Sequence, residues 1–576
     1  MIDDRDYFAR LDTLHRRNWP ASVPTEAIYP HGEVPVGDYL RAWARERPDH
    51  RAIVFYGTEI SYAELNDLSD RFAALLHQHG VRGGDRVAVL LGNCPQFHVV
   101  FYGIQKLGAV HVPVNPLFKA HELEYELNDA GARVVVVLDQ LAPLLQSVGG
   151  QVPLDLVFVT GFRDMLPEAP TIALPPGLDA PRTHPEGMID LMPALRGCTA
   201  AAPQVAIDLD AVAALNYTGG TTGMPKGCVH TQRDMLYTSA TGCTMSGMLD
   251  PGGGFDPGDV SLNFLSLFWI AGENVGLLYP IFCGSTVVLL ARWDPVAVMQ
   301  AIERYRVRRT VMLVDNAVEI LEHPEVSRHD LRSLKWTRVS SFIRKITPEY
   351  RRRWRELTGS VMAEGAWGMT ETHTSDTFTT GMQDDDMDLK GRPVFVGIPM
   401  PGTRIRICDF ETGALLPIGA EGEIVVDTPS LFKGYWNKPE ASAECIRDGW
   451  FHTGDIGAWD EDGYLHFLGR RKEMLKVKGM SVFPTEIEVL LARHPAIQGC
   501  GVIGREDADK GQVPVAFVTL NPGHQGGIDA AALQAWCREQ MASYKVPEVR
   551  IVAQLPLTAT GKVKKHELQA QLENRA

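Results

Sequence analysis

The feature that most constrains this chain is the alternation of two hydrophobic periods over its first 140 residues. From Tyr62 to His79 the apolar residues Leu65, Leu68, Phe72, Leu75 and Leu76 recur at helical spacing and share one face. Gly83-Gly84-Asp85 supplies a turn, and Arg86 to Leu91 reads as a short apolar strand. Val134 to Leu138 is an unbroken apolar, mostly β-branched run, the kind that suits a strand covered on both faces. Such a strand needs helices above and below it, so the alternation predicts an α/β fold with mostly parallel sheets.

With 576 residues the chain can build more than one hydrophobic core. Residues from 145 to 205 are rich in Pro, Gly and Ala and read as a long irregular excursion. After Arg404 the pattern changes to short strands with turn signals (RIRICDFETG, EGEIVVDTPS, DGYLHFLG), which predicts a small β-rich subdomain. From Arg471 a compact α+β segment follows, with helices over Pro484–His494 and Ala530–Met541 and strands over Gly499–Ile503 and Val513–Leu520. The expected architecture is a large domain over residues 1–470 and a smaller one over residues 471–576. The large domain would hold two parallel-type α/β subdomains and the β-rich one.

Composition excludes several classes. Apolar residues at 45% and charged residues at 22% argue against disorder. Fifty-six basic against 71 acidic residues leave a net charge of −15, which gives no reason to expect nucleic acid or an anionic membrane as partner. Nine cysteines without a C-x-x-C pair argue for a reducing, cytoplasmic setting. The N-terminal stretch MIDDRDYFARLDTLHRRNW lacks the apolar core of a signal peptide. Phe264 to Leu290 is apolar and long enough to cross a bilayer, but Glu273, Asn274 and its glycines interrupt it. A buried strand–helix–strand unit, with no membrane span, is the expectation.

The most informative stretch is Tyr217 to Gly227, YTGGTTGMPKG, after an apolar run that fits a strand. Glycines let backbone N–H groups wrap an anion, threonines add hydroxyl donors, and Lys226 adds charge. Phosphate is the natural ligand. A Walker loop would end in Gly-Lys-Ser/Thr, whereas Lys226 lies between Pro225 and Gly227.

This loop resembles the phosphate loop of the adenylate-forming superfamily, which includes acyl- and aryl-CoA synthetases, peptide-synthetase adenylation domains and beetle luciferase. The resemblance continues in order along nearly the whole chain. Trp367-Gly-Met-Thr-Glu371 resembles the family's aromatic-Gly-x-Thr-Glu segment, and Thr453-Gly-Asp455 its Thr-Gly-Asp. Gly469 to Gly479 (GRRKEMLKVKG), continued by Pro484-Thr-Glu-Ile-Glu488, resembles its interdomain hinge and following helix. Pro556 to Lys562 (PLTATGK) resembles its C-terminal catalytic-lysine loop.

The resemblance implies an enzyme that uses ATP, Mg²⁺ and CoA. It would join a carboxylic acid to AMP and then pass the acyl group to CoA. Thr218, Thr221, Thr222, Gly223 and Lys226 would hold the β- and γ-phosphates, Glu371 would ligate Mg²⁺, and Lys562 would reach the α-phosphate and the carboxylate. Asp455 would accept hydrogen bonds from the ribose, Arg470 would contact ribose or phosphate, and Trp367, with Gly368 and Thr370 beside it, would offer a face to adenine. A rotation about a hinge near Lys472 would exchange Lys562 for Lys476 and Gly479, which would shape the channel for the CoA thiol.

Two departures stand out. Gly219 occupies a position where many relatives have serine. Ser341-Phe-Ile-Arg-Lys345 replaces a small-residue Gly-Gly-Ala-Pro-like segment, so Phe342, Ile343 and Arg344 would narrow the acyl channel, Arg344 would meet a polar substrate or the nucleotide, or the loop is shifted. Leu267 to Glu273 (LFWIAGE) resembles the segment lining the acyl pocket, which places Trp269 there with Phe342 and favours a medium- or long-chain fatty acid, with aryl acids next. The alternatives are an acyl-AMP ligase that loads a carrier protein, a luciferase-type oxidation and, from another class, a non-catalytic nucleotide sensor. Oligomeric state, including a homodimer, is left open.

Overall fold

A computed structural model describes residues 3–218, 224–249, 256, 258–390, 394–478, 480–507, 510–558 and 561–573. Two seven-stranded sheets form most of the frame. The first runs in the order Ile189–Asp190, Leu156–Thr160, Val134–Leu138, Arg86–Leu90, Val110–Pro113, Val212–Tyr217 and Gly227–Thr231; only its last pair is antiparallel. The second runs Met362–Glu364, Trp336–Ser340, Arg309–Leu313, Val260–Asn263, Thr286–Leu289, Arg51–Phe55 and Thr58–Ser61, again with only the last pair antiparallel.

The helices between the sheets explain why the two stay together. All thirteen residues of Pro95–Leu107 are buried, as expected of a helix that is apolar nearly all round. Tyr62–Gln78 starts at Ser61, whose side chain and Glu64 form a reciprocal cap, and it buries Leu65, Phe72, Leu75 and Leu76 as its periodicity predicts. One continuous core takes Val87 and Val89 from the first sheet and Ile53, Val287 and Val288 from the second.

The region 145–205 is not simply irregular. Leu156–Thr160 pairs residue for residue with Val134–Leu138, and Ile189–Asp190 extends the same edge. Flanking Pro- and Gly-rich stretches hide this strand in the composition. The apolar run from 264 to 290 becomes a helical turn at Ile270–Gly272, a π-helical stretch at Glu273–Leu278, the helix Tyr279–Cys283 and the strand Thr286–Leu289. Among the described residues, no helix is long and apolar enough to cross a membrane.

A third, antiparallel sheet orders Thr377–Phe378, Phe395–Pro399, Leu465–Arg470, Trp450–Trp459, Gly422–Asp427 and Arg404–Cys408, so it begins before the expected boundary at Arg404. The N-terminal helix Asp4–Asn18 packs on it through Tyr7 and Leu11. A fourth sheet joins Met480–Val482, Leu475–Val477, Gly511–Leu520 and Ile497–Asp507, with Glu548–Ile551 added in parallel. The helices Pro484–Leu491 and Ala530–Gln540 cover its apolar face.

Candidate active site

Three of the expected site residues meet on the central strands of the third sheet. Asp455 on Trp450–Trp459 lies directly across from Arg470 on Leu465–Arg470. Its backbone N–H is held by the Thr453 hydroxyl (3.0 Å), which itself donates to the Ile424 carbonyl (2.7 Å). Gly454 takes the left-handed φ of +69° that this turn requires. The Asp455 side chain is 3% exposed; Oδ2 accepts from the Trp367 indole N–H at 3.0 Å, and Oδ1 sits 2.9 Å from Arg470 Nε. Burial raises the Asp455 pKa, while Arg470, the Trp367 N–H and Lys562 oppose the rise. The expected adenine partner, Trp367, is thus a buried ring that orients Asp455.

A second group forms where the third sheet meets the first. Thr218 N–H donates to the Lys226 carbonyl (3.0 Å) and Lys226 N–H to Thr218 Oγ1 (3.3 Å), closing the neck of the glycine-rich loop between two antiparallel strands. Thr221, Thr222 and Gly223, together with Gly219, lie outside the described residues. Lys226 Nζ stands 4.7 Å from the ring centroid of Tyr435, and the Tyr435 hydroxyl donates to Glu371 Oε1 at 2.7 Å. Tyr435 is held by the backbone: Val229 N–H donates to the Gly434 carbonyl, Trp436 N–H to Gly227, and Phe432 N–H to Glu371. Sequence reading missed Tyr435; the cue was the Gly434-Tyr435-Trp436 cluster, with a conformationally free glycine before two aromatics.

Lys562 comes to the same cleft from the C-terminal segment. Its loop is pinned by Thr558 N–H to the Lys562 carbonyl (2.7 Å) and Lys562 N–H to Thr558 Oγ1 (3.0 Å). The side chain remains open to solvent although protein crowds it. That crowding, reinforced by the positive charge of Arg470, lowers its pKa, against which Asp455 and Glu473 act. Its Nζ lies 5.0 Å from the ring centroid of Phe342. Arg344, by contrast, turns towards protein carboxylates, with Asp315 at 3.6 Å and Glu322 at 4.0 Å. It is therefore engaged within the protein.

The remaining expected residues divide. Gly368 is indispensable to the backbone path, because a Cβ there would overlap the Thr374 carbonyl. The Thr370 carbonyl accepts from His230 Nε2 at 2.7 Å. Trp269 is half-buried and packs edge-on against Phe268. Lys472 sits in a single 3₁₀ turn, Arg471–Glu473, between the third and fourth sheets. Lys476 is exposed on the fourth sheet, and Gly479 lies outside the described residues.

Behind Glu371 lies a sealed polar cluster that sequence reading did not find. Glu273 is fully buried; Oε2 accepts from Asn216 Nδ2 at 2.9 Å, and Oε1 has no hydrogen-bond partner among the described residues. His111 Nε2 lies 3.8 Å from Oε2 and His373 Nε2 lies 3.7 Å from Oε1. The His373 ring meets His230 edge-on, with centroids 4.7 Å apart. Burial pushes Glu273 up to about 8 and His111 down to about 3. His373 falls well below the usual histidine value, first through burial and then through His230.

Comparison with known proteins agrees with this arrangement. Residues 40–436 match the AMP-binding enzyme family, and residues 486–562 match the AMP-binding enzyme C-terminal domain. A long-chain-fatty-acid–CoA ligase of Bacillus subtilis is 32% identical over 96% of this chain and 98% of its own length. A 4-coumarate–CoA ligase of Oryza sativa is 31% identical over 94% of this chain and 92% of its own. The crystal structure of the anthranilate CoA ligase AuaEII with anthranoyl-AMP superimposes with a TM-score of 0.80 at 28% identity, covering 94% of this chain and 98% of that one. The chain belongs to the AMP-binding enzyme family, as an acyl- or aryl-CoA ligase that forms AMP.

Proposed function

We propose that this enzyme activates a medium- or long-chain fatty acid as its acyl-adenylate and transfers the acyl group to CoA. The observation that carries the nucleotide half is Asp455, a buried carboxylate with one oxygen tied to Trp367 and the other paired with Arg470. A carboxylate oxygen that already holds one donor keeps a second lone pair, which suits a ribose hydroxyl, and Arg470 favours the ionised form. The apolar Leu267, Phe268 and Trp269 support an apolar acyl group, as does the fatty-acid ligase among the relatives.

A carboxylate attacking the α-phosphate brings two anions together, so the site must neutralise charge as the bond forms. Lys562 and Arg470 supply that charge at one end of the cleft and Lys226 at the other. Glu371 fits a Mg²⁺ ion that arrives with the nucleotide: it offers one carboxylate, and Mg²⁺ takes one or two carboxylates plus phosphate oxygens and water. Bound there, the ion would offset phosphate charge. Tyr435 fixes the orientation of that carboxylate through its hydrogen bond. We propose further that residues 471–576 move as a unit about Lys472, presenting Lys562 for the first step and Lys476 for the second.

The test is release of AMP and pyrophosphate from Mg-ATP, with and without CoA, across linear, branched and aromatic acids. CoA-dependent turnover that peaks on a linear acid of eight or more carbons is the expected result. A peak on benzoate or 4-coumarate would move the assignment to the aryl acids. Pyrophosphate release indifferent to CoA would point to a carrier-protein acceptor.

A further inference from the structure

We propose that Phe342 and Ile343 form a seat for the C-terminal lysine loop and position Lys562 for the adenylation step. The proposal rests on Lys562 being the group that meets the reacting phosphate and carboxylate.

The seat follows from how the turn after Trp336–Ser340 is fixed. Ser341 N–H donates to Glu364 Oε1 at 3.0 Å, and the Ser341 hydroxyl also bonds Glu364. Lys345 Nζ folds back to the carbonyls of Ser341 (2.7 Å) and Phe342 (3.4 Å). Arg344 N–H donates to Asp315 at 3.3 Å, and its guanidinium pairs with the same carboxylate. With polar groups holding the backbone on both sides of the turn, Phe342 and Ile343 are left to face the C-terminal segment.

Each makes a different contact there. The Phe342 ring presents its face to Lys562 Nζ at 5.0 Å, within cation–π range. Ile343 packs in a cluster with Leu555 and Val563, the residue after Lys562. It lies against Gly499, where a Cβ would overlap its side chain, so the fourth sheet makes room for this isoleucine. Gly561 abuts Leu313 in turn, with a Cβ there 3.0 Å from Leu313 Cδ1. An exposed lysine samples many rotamers. The aromatic face favours those that point into the cleft, and the isoleucine fixes the backbone from which they start. These are positioning residues that act through Lys562.

The experiment measures the two half-reactions separately, with octanoate or benzoate, whichever turns over faster. Phe342→Leu keeps apolar volume and removes the ring; it should slow adenylation about three- to tenfold in kcat while leaving the KM for ATP within about twofold. Thioester formation from chemically prepared acyl-adenylate and CoA should fall less than adenylation does in the same protein, which also shows that the variant is folded. Phe342→Trp should restore adenylation, and Ile343→Ser should impair the same half-reaction alone. Wild-type adenylation by Phe342→Leu, equal loss in both half-reactions, or failure of Phe342→Trp to restore the rate would overturn the seat. Lys562→Ala is run alongside. If it adenylates normally, the reading of Lys562 falls and the seat falls with it; if it is slow while Phe342→Leu is normal, only the seat falls.

Discussion

Two buried carboxylates, Asp455 and Glu273, sit in polar clusters that differ in the charges set around them. Around Asp455 the groups face a cleft and have fixed counter-charges: Arg470 pairs with Asp455, and its own pKa rises chiefly because of that carboxylate. Among the described residues no charged group acts on Glu273, and burial drives the acid up and the bases His111 and His373 down, towards neutral forms on both sides, with Asp234 opposing the fall of His373. One short segment serves both. Trp367 and Glu371 belong to the first cluster, while His373 and Thr374 turn back into the sealed one with left-handed φ values of 56° and 113°. The close approach of Gly368 to Thr374 makes that reversal possible. Access to water and a permanent partner separate the two clusters, so charge-dependent chemistry belongs to the first.

The largest effect expected from that division is at Lys562. Lys562→Ala should reduce adenylation by about 10²- to 10³-fold, in the range found for removing a single donor that stabilises transition-state charge. Thioester formation from supplied acyl-adenylate should be spared, because in the proposed rotation the second step uses the other face of the C-terminal segment. Stopped-flow pyrophosphate release and thioester formation, measured separately, would show this; equal loss in both would refute the division of labour. A smaller effect is expected at Tyr435. Tyr435→Phe keeps the ring under Lys226 but removes the hydroxyl from Glu371, and a hydrogen bond to a charged group is worth about 1.5–3 kcal/mol. Adenylation should fall roughly tenfold, with the loss concentrated at low Mg²⁺. A loss that is the same at all Mg²⁺ concentrations would separate Tyr435 from the metal-binding role proposed for Glu371.

The open cluster was largely legible in the sequence and the sealed one was not, for physical reasons. Asp455, Arg470 and Glu371 sit inside short runs whose glycines and threonines advertise tight turns and anion contact, so each could be named from its neighbours. Tyr435 is 64 residues from Glu371, and only the fold brings them together. Glu273, His111, His373 and Asn216 come from four separate elements, and each alone reads as an ordinary core residue or an interruption. Glu273 did betray itself as a charge in an apolar run, which excluded a membrane span without revealing its partners. Phe342 and Arg344 were visible as bulky departures, but their direction depends on Glu364 and Asp315, which no local pattern predicts. The strand Leu156–Thr160 was lost because its flanks dominate the composition of the region.

The sealed cluster offers the smallest effect on activity and the cleanest on stability. Burial raises the Glu273 pKa from 4.5 in the open chain to about 8 in the fold. Between those values the folded protein keeps a proton that the unfolded chain has released, so stability falls as pH rises through this window. At about 1.4 kcal/mol for each pH unit crossed, the cost by pH 8 would be a few kcal/mol. Glu273→Gln resembles the protonated acid in shape and cannot ionise, so it should remove that cost. His111 and His373, with lowered values, act in the other direction: the unfolded chain gains protons below about pH 6.5 that the fold resists, so stability falls as acid is added. Thermal melts from pH 5 to 9 should therefore show an acid limb shared by wild type and Glu273→Gln. The decline between about pH 5 and 8 should be shallower in Glu273→Gln than in wild type, while Glu126 and Asp376, whose pKa values burial also raises, contribute to it in both proteins. Turnover of the variant at neutral pH should stay within about threefold, since a side chain already neutral loses no charge in the exchange. A decline equally steep in both proteins would mean that Glu273 is ionised in the fold, and the contrast between the two clusters would then rest on geometry alone.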